Sequence, residues 1–493
     1  HAARRARMQP VRQWAEHFCF VQRRRRAQCG HCHGAGLSDS GHWLSILGQP
    51  DDSTRRPNRE FLMQYFSTRG AGPVTLDDAL RLGIASDGGL FLPERLPQFD
   101  VADFDGAESI GEVAHVLLSP FFAGSTLERH LDDILAETFS FPIPATPLPV
   151  EGHDVSLLEL YHGPTVAFKD VGAGFLAACL SRLEANVSDP LTILVATSGD
   201  TGGAVAAAFD ERPGMRVVVL FPDGRVSERQ AHQLCCWGDN VVSLKVQGSF
   251  DDCQALVKGA MADKALSRQH RFSSANSINI GRLLPQSTYY ADSSLRHYRR
   301  TGNKPGYVIP TGNLGNAFAC VMAREMGLPI GPVILATNAN RTIADYFETL
   351  EWLPRASLQT LASAMDVGDP SNMERLRHLV GEADVLRRQL GVVSVTDEQI
   401  EASIRQDFAD FGFATCPHTA TATHTWRELD ADVANAHDWI LVATAHPAKF
   451  ETIVEPLIGA GVPVPPELEV LLSRPASAIS IEPTLASLAT VLE

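Results

Sequence analysis

Lysine is scarce in this chain, which has six (Lys169, Lys245, Lys258, Lys264, Lys304 and Lys449) against 36 arginines. Acids outnumber bases, and the formal charge is −16. Without a clustered cationic surface the balance argues against nucleic acid as a partner. No uninterrupted apolar run approaches the roughly 20 residues that span a bilayer, so neither a transmembrane helix nor a membrane partner is expected. Nine cysteines, an odd number without framework spacing, make no disulfide scaffold. They read as reduced thiols of a cytoplasmic protein, with adjacent Cys235 and Cys236 as packing residues. Internal repeats and low-complexity tracts are absent too. His418, His424 and His446 match no zinc spacing, so no metal is expected.

What the chain does have is length and an ordinary globular composition: 493 residues, 44% hydrophobic and 20% charged, enough for two or three domains. Residues 1–62 stand apart, with eleven arginines, no lysine and five acids. They carry +6, which leaves −22 on the rest. An Arg-rich, acid-poor start can be a transit peptide. The preferred expectation is upstream sequence ahead of a start at Met63, a non-native or disordered extension. Within it, Cys29-Gly-His-Cys32-His33 has the form of a c-type haem attachment run, but no secretory apolar segment accompanies it.

From Met63 the pattern becomes organised. Thr75 and Gly83 bracket a short helix as N-cap and stop. Asp87-Gly-Gly-Leu-Phe-Leu-Pro93 reads as a turn into a strand. The proline-rich run at 141–149 is a plausible end to a small N-terminal domain, 63–150. Over 151–493 strand, loop and helix alternate. Strands are expected at 156–160, 191–196, 216–221, 240–246, 307–310, 333–337 and 439–443; helices at 204–209, 227–235, 251–266 and 317–326. Such alternation implies parallel strands with right-handed crossovers and ligands at their carboxyl ends.

The chemistry concentrates in a few loops. Lys169 opens a helix among small and apolar residues, where a lysine is costly to bury unless paired, depressed in pKa or covalently used. For an isolated lysine, an ion pair with a neighbour such as Asp170 is the ordinary explanation. Two glycine-rich turns, at 197–203 and 311–316, follow buried strands and open helices, where free backbone N–H groups and the helix dipole favour an anion. Each alone could serve only a tight turn. Neither has the triphosphate or dinucleotide spacing. With Lys169 they point to a phosphorylated carbonyl cofactor able to form a Schiff base.

Five motifs carry a resemblance. His162-Gly-Pro-Thr-Val-Ala-Phe-Lys-Asp170, Ala196-Thr-Ser-Gly-Asp-Thr-Gly202, Ser274-Ala-Asn-Ser-Ile-Asn279, Pro310-Thr-Gly-Asn-Leu-Gly-Asn316 and Thr444-Ala-His-Pro-Ala-Lys-Phe450 resemble the threonine synthase family. The resemblance runs from Met63 to the C-terminus. It implies an α/β, fold-type II pyridoxal-phosphate enzyme, tryptophan synthase β-like, with two parallel-sheet α/β domains plus a small N-terminal domain. The activity implied converts O-phospho-L-homoserine and water to L-threonine and phosphate, the last step of threonine biosynthesis, in a monomer or homodimer. Matched motif by motif, Lys169 would be the Schiff-base lysine and catalytic base. Gly312, Asn313, Leu314, Gly315 and Asn316 would bind the cofactor phosphate, with Leu314 where phenylalanine is frequent in the family. Thr444 would meet the pyridine nitrogen. Ser198 and Asp200 would lie beside the cofactor, and Thr201 beside the substrate carboxylate. Asn276, Ser277 and Arg282 would hold the substrate's own phosphate; for Arg282 the alternative is a structural ion pair. The nearest rival is a pyridoxal-phosphate-dependent serine/threonine dehydratase-type β-eliminase, which needs no second phosphate pocket. A catalytically silent homologue would have no need of Lys169, Arg282 and Thr444 together.

Overall fold

The apolar runs of the sequence become two parallel sheets in the computed structural model, which describes residues 62–493. Residues 1–61, with the haem-like run and the expected extension, lie outside the described residues. An antiparallel pair comes first, β1 (Tyr65–Ser67) with β2 (Phe91–Pro93), beside a helix Leu76–Leu82 capped by the Thr75 side chain and closed by Gly83. The proline-rich run at 141–149 contributes β3 (Ala145–Pro147), which pairs antiparallel with β4 (Val155–Glu159).

The chain then leaves this sheet to build a second one. Strands β5 (Leu191–Ala196), β6 (Met215–Pro222), β7 (Val241–Val246) and β8 (Arg271–Ser274) are parallel, in the order β7-β6-β5-β8. It returns to the first with β9 (Gly306–Pro310), β10 (Val333–Thr337), β11 (Leu390–Ser394) and β12 (Trp439–Ala443), giving the order β11-β10-β9-β12-β4-β3. A last strand, β13 (Ile479–Ile481), goes back to the second sheet beside β7. Every residue of β5, β9, β10 and β12 is buried, the signature of strands covered by helices on both faces.

Two of the expected elements differ. The helix expected at 251–266 is two, Phe250–Ala262 and Lys264–Gln269, because the Asp263 side chain accepts the N–H groups of Ala265 and Leu266 and restarts the helix as an N-cap. The helix expected from Ala204 begins at Asp200, so the glycine pair Gly202 and Gly203 lies inside it. Gly202 is needed there: a Cβ would fall 2.4 Å from Thr197 Cγ2 and 2.6 Å from Leu234 Cδ2.

The exits of neighbouring strands set the site. β4 and β12 run side by side, and past their ends the pairing continues. The Leu160 N–H donates to Ala443 O (2.9 Å), Phe168 N–H to Thr444 O (2.8 Å) and His446 N–H to Val166 O (3.1 Å). This zip holds Val166 at φ 51°, a left-handed conformation costly for a β-branched residue. It also delivers Lys169 and Thr444 to one place.

Candidate active site

Lys169 is the first residue of the helix Lys169–Leu183, half-buried, with its Nζ 5.6 Å from the Phe168 ring centroid. Asp170 is not its counter-ion. That carboxylate accepts the Thr165 N–H (2.9 Å) and the Thr165 hydroxyl, tying down the loop. Burial brings the Lys169 amine down to about 8; Asp200 draws it up, and Lys449 and Arg282 push it further down. An amine so placed is partly free base near neutral pH.

One cavity of about 1090 Å³ collects the predicted residues, all thirteen of which line it. They arrive from both sheets, as the carboxyl ends of β4, β9 and β12 on one side and of β5 and β8 on the other. The turn after β9 has Leu314 at φ 63°, the left-handed residue that starts the helix Gly315–Glu325, with its side chain in the core. Asn313 is fixed at both ends: its Nδ2 donates to Ser277 Oγ (2.8 Å) and its Oδ1 accepts the Ser371 N–H (2.6 Å). Asn316 Oδ1 accepts the hydroxyls of Tyr289 (2.5 Å) and Tyr290 (2.8 Å), which leaves its buried Nδ2 without a partner.

The turn after β5 is held by Thr197, whose hydroxyl accepts the N–H groups of Gly199 (3.0 Å) and Gly202 (2.9 Å). Asp200 faces inward from it. Its Oδ1 lies 2.7 Å from Lys449 Nζ and accepts Gln230 Nε2 at 3.0 Å. Burial alone would raise this carboxyl, but Lys449 and Lys169 more than offset that and hold it well below the usual carboxylate range.

After β8, Asn276 leaves a buried Oδ1 unpartnered. Arg282 is buried, and burial brings it down to about 10. The ion-pair alternative fails among the described residues: its guanidinium reaches the carbonyls of Ala275 and of Lys169 (3.4 Å) but no carboxylate, and its Nε has no partner.

Several residues of the site gave no usable sign in the sequence. His418 lines the cavity from the helix Pro417–Arg427; its Nε2 accepts the Ala364 N–H (3.0 Å), which fixes it as neutral, and burial lowers it to about 4. Asp366, pushed up to about 7 by burial, accepts from Asn338 (2.7 Å) and the Thr360 hydroxyl (2.7 Å) and anchors the segment around Met365. Behind Ser277 sits Arg375, fully buried, donating to the carbonyls of Phe91, Ser277 and Ile278. Lys449 did sit in a conspicuous Gly/Pro/His context, but nothing local tied it to Asp200.

These residues fit a phosphorylated aldehyde. Two buried donors (Arg282 Nε and Asn316 Nδ2) lack partners on the walls of a cavity that also holds an unpaired amine. Gly312 makes room: a Cβ there would lie 2.7 Å from Met365 Cα and 2.9 Å from Met365 O. Because those atoms are backbone, Gly312→Ala is expected to shift the turn at 312–316 and cost about 1–3 kcal/mol. Fluorescence titration with pyridoxal phosphate checks this; affinity equal to the wild type would remove the turn from the cofactor site.

Comparison with known proteins agrees along the length of the described chain. The model of the pyridoxal-phosphate dependent enzyme family matches residues 140–444. A threonine synthase N-terminus model matches 64–139, and a threonine synthase C-terminal model matches 419–491. The threonine synthase of Serratia marcescens is 37% identical over 404 residues, 82% of this chain and 92% of that protein. That of Escherichia coli is 37% identical over 397 residues, 80% and 91%. Among solved structures, threonine synthase from Escherichia coli superposes with a TM-score of 0.80 at 34% identity, covering 87% of this chain and 99% of that one. Pyridoxal-phosphate-bound threonine synthase from Brucella melitensis gives 0.80 at 33%, covering 87% and 98%.

Proposed function

We propose, from the premise that this chain belongs to the threonine synthase family, that its cavity turns O-phospho-L-homoserine and water into L-threonine and phosphate with Lys169 as the base. The observation that carries the assignment is the company Lys169 keeps: an amine without an ion pair shares one cavity with two strand-to-helix glycine turns and an arginine that has no carboxylate. Pyridoxal phosphate, the cofactor of the family model, supplies an electron sink that acidifies protons near the substrate's amino group.

The chain's own residues divide the remaining work. The turn at 312–316 offers backbone N–H groups and Asn316 Nδ2 to the cofactor phosphate. Thr444 presents a hydroxyl, which does not hold a ring nitrogen protonated as a carboxylate would. Ser198 and Asp200 flank the cofactor, and Thr201 offers a hydroxyl to the substrate carboxylate. Asn276, Ser277 and Arg282 take the substrate phosphate, Arg282 through its planar fork. Lys169 Nζ removes the α-proton, gives it up, and then takes a proton from the adjacent carbon, which lets phosphate leave from Cγ; protons return to Cγ, which becomes the methyl group, and, after water adds its hydroxyl at Cβ and leaves its other proton with the phosphate, to Cα.

A second anion pocket separates this activity from that of a dehydratase-type β-eliminase, and Arg282 is what supports it. Product analysis with O-phosphohomoserine tests the choice: threonine and phosphate in equal amounts are expected, whereas 2-oxobutyrate and ammonia as main products would overturn it. No helix among the described residues is long and apolar enough to cross a membrane. We place the enzyme in the cytoplasm as a monomer or homodimer; the six cysteines among the described residues, all unpaired, support a reducing compartment.

A further inference from the structure

A second lysine lies behind the cavity wall, against Asp200. Lys449 lies in the turn Pro447–Phe450 with 1% of its side chain exposed, paired with Asp200, which is 3% exposed. Its ammonium makes two contacts from one point: 2.7 Å to Asp200 Oδ1 and 2.9 Å to the carbonyl of Thr165. It therefore links the helix start that carries Asp200 to the loop that carries Lys169. The backbone around it is pinned as well, since Ser227 Oγ donates to Lys449 O (2.9 Å) and Arg229 to Ala448 O (2.6 Å). Gln230 donates to the same Asp200 oxygen.

Four groups facing Lys169 bear on its charge. Asp200 comes from the turn after β5, Lys449 from the 447–450 turn, Arg282 from the turn after β8 and His418 from the helix Pro417–Arg427. Asp170, next on its own helix, is committed to Thr165, and His418 is neutral. Asp200 is thus the one carboxylate acting on Lys169 among these groups. We propose that Lys449 is a positioning residue for proton transfer at Lys169: by holding Asp200 in a closed buried pair it denies Lys169 a counter-ion and leaves Nζ able to lose its proton. Without Lys449, a buried and uncompensated Asp200 would have Lys169 as its nearest cationic partner, and the amine would be held protonated.

The inference rests on Lys169 being the base, and the two can be tested separately. Borohydride reduction of the cofactor-loaded protein followed by peptide mapping locates the cofactor lysine; a label on Lys449 in place of Lys169 overturns that assignment alone. For the inference, the full-length protein is stripped of cofactor and pulse-acetylated across pH, and the pH midpoint of Lys169 acetylation is read by mass spectrometry. Lys449→Met is expected to raise the midpoint by about one unit or more. Lys449→Arg should keep it, and Lys449→Met combined with Asp200→Asn should bring it back toward the wild type. A structural role alone would move none of these midpoints. If Lys449→Met proves insoluble, Asp200→Asn carries the test, since loss of the carboxylate should lower the midpoint. An unchanged midpoint in Lys449→Met or in Asp200→Asn, or a double variant displaced as far as Lys449→Met, overturns the proposal.

Discussion

Lys169→Ala is expected to lower turnover of O-phosphohomoserine by about four orders of magnitude or more, because one side chain is asked to supply both the covalent anchor and the base. Lys169→Arg should be as damaged. It keeps a cation of similar reach, but a guanidinium stays protonated at any working pH, so it can neither anchor an aldehyde nor take a proton. The pair of variants therefore separates loss of charge from loss of proton chemistry. Stability should move the other way. In the native cavity burial is the main cost to the Lys169 ammonium, which has no ion pair among the described residues; Asp200 offsets part of that cost, and Lys449 and Arg282 add to it. Removing the amine relieves that cost, and the thermal midpoint of the apo form should be no lower than that of the wild type. Activity within tenfold of the wild type in Lys169→Ala would sink the assignment of the base.

The sequence revealed the strands more sharply than the contacts around the lysine. Expected and observed bounds coincide at 191–196, 333–337 and 439–443, where strands of a doubly covered sheet are apolar runs, interrupted only by Thr192, that end in a threonine or alanine. β8 and β13 carried no such sign: three of the four residues of Arg271-Phe-Ser-Ser274 are polar, and two of the three residues of β13 are exposed. The proline-rich run at 141–149 looked like a boundary, yet it adds β3 to the first sheet, since an edge strand tolerates proline where a central one does not. In the site, the turns could be read because glycine beside a strand end has a local cause. The Lys449–Asp200 pair could not, because its partners lie 249 positions apart and pairing leaves no mark on either neighbourhood. Arg375 was invisible for a different reason. It is one of 36 arginines, on a helix whose neighbouring Arg377 is an ordinary surface residue paired with Glu382.

Arg375→Met should be the most destabilising of the substitutions considered, and the reason lies in what surrounds the guanidinium. Arg375 is 0% exposed and meets no carboxylate. Adjacent Glu374 is spent on Arg69, 3.0 Å away, and on Thr68. Four oxygens take the guanidinium instead: Phe91 O (3.1 Å), Ser277 O (3.0 Å), Ile278 O (2.5 Å) and Asn372 Oδ1 (2.7 Å). A methionine fills the space of the stem but leaves three carbonyls and an amide oxygen without donors, each worth about 1–3 kcal/mol. Relief of the cost of burying a cation, visible in a guanidinium drawn down to about 9, offsets part of that. A net loss of about 2–4 kcal/mol is expected, seen as a lower thermal midpoint and faster proteolysis. The same bonds join the N-terminal pair of strands to Ser277 and to Asn372, whose Nδ2 donates to Asn313 O (3.0 Å). Loosening them should therefore disturb Ser277 and the turn at 312–316, with KM for O-phosphohomoserine rising about tenfold, the equivalent of one charge-assisted bond. Arg375→Lys, with three donors for four acceptors and no planar fork, should fall between. A variant as stable as the wild type would mean that the four oxygens find other donors. Two buried guanidiniums, Arg282 on the cavity wall and Arg375 behind it, thus stand without a carboxylate on either side of Ser277. That positive charge, which Asp170 and Glu374 offset without contact, favours a phosphate dianion at this end of the cavity.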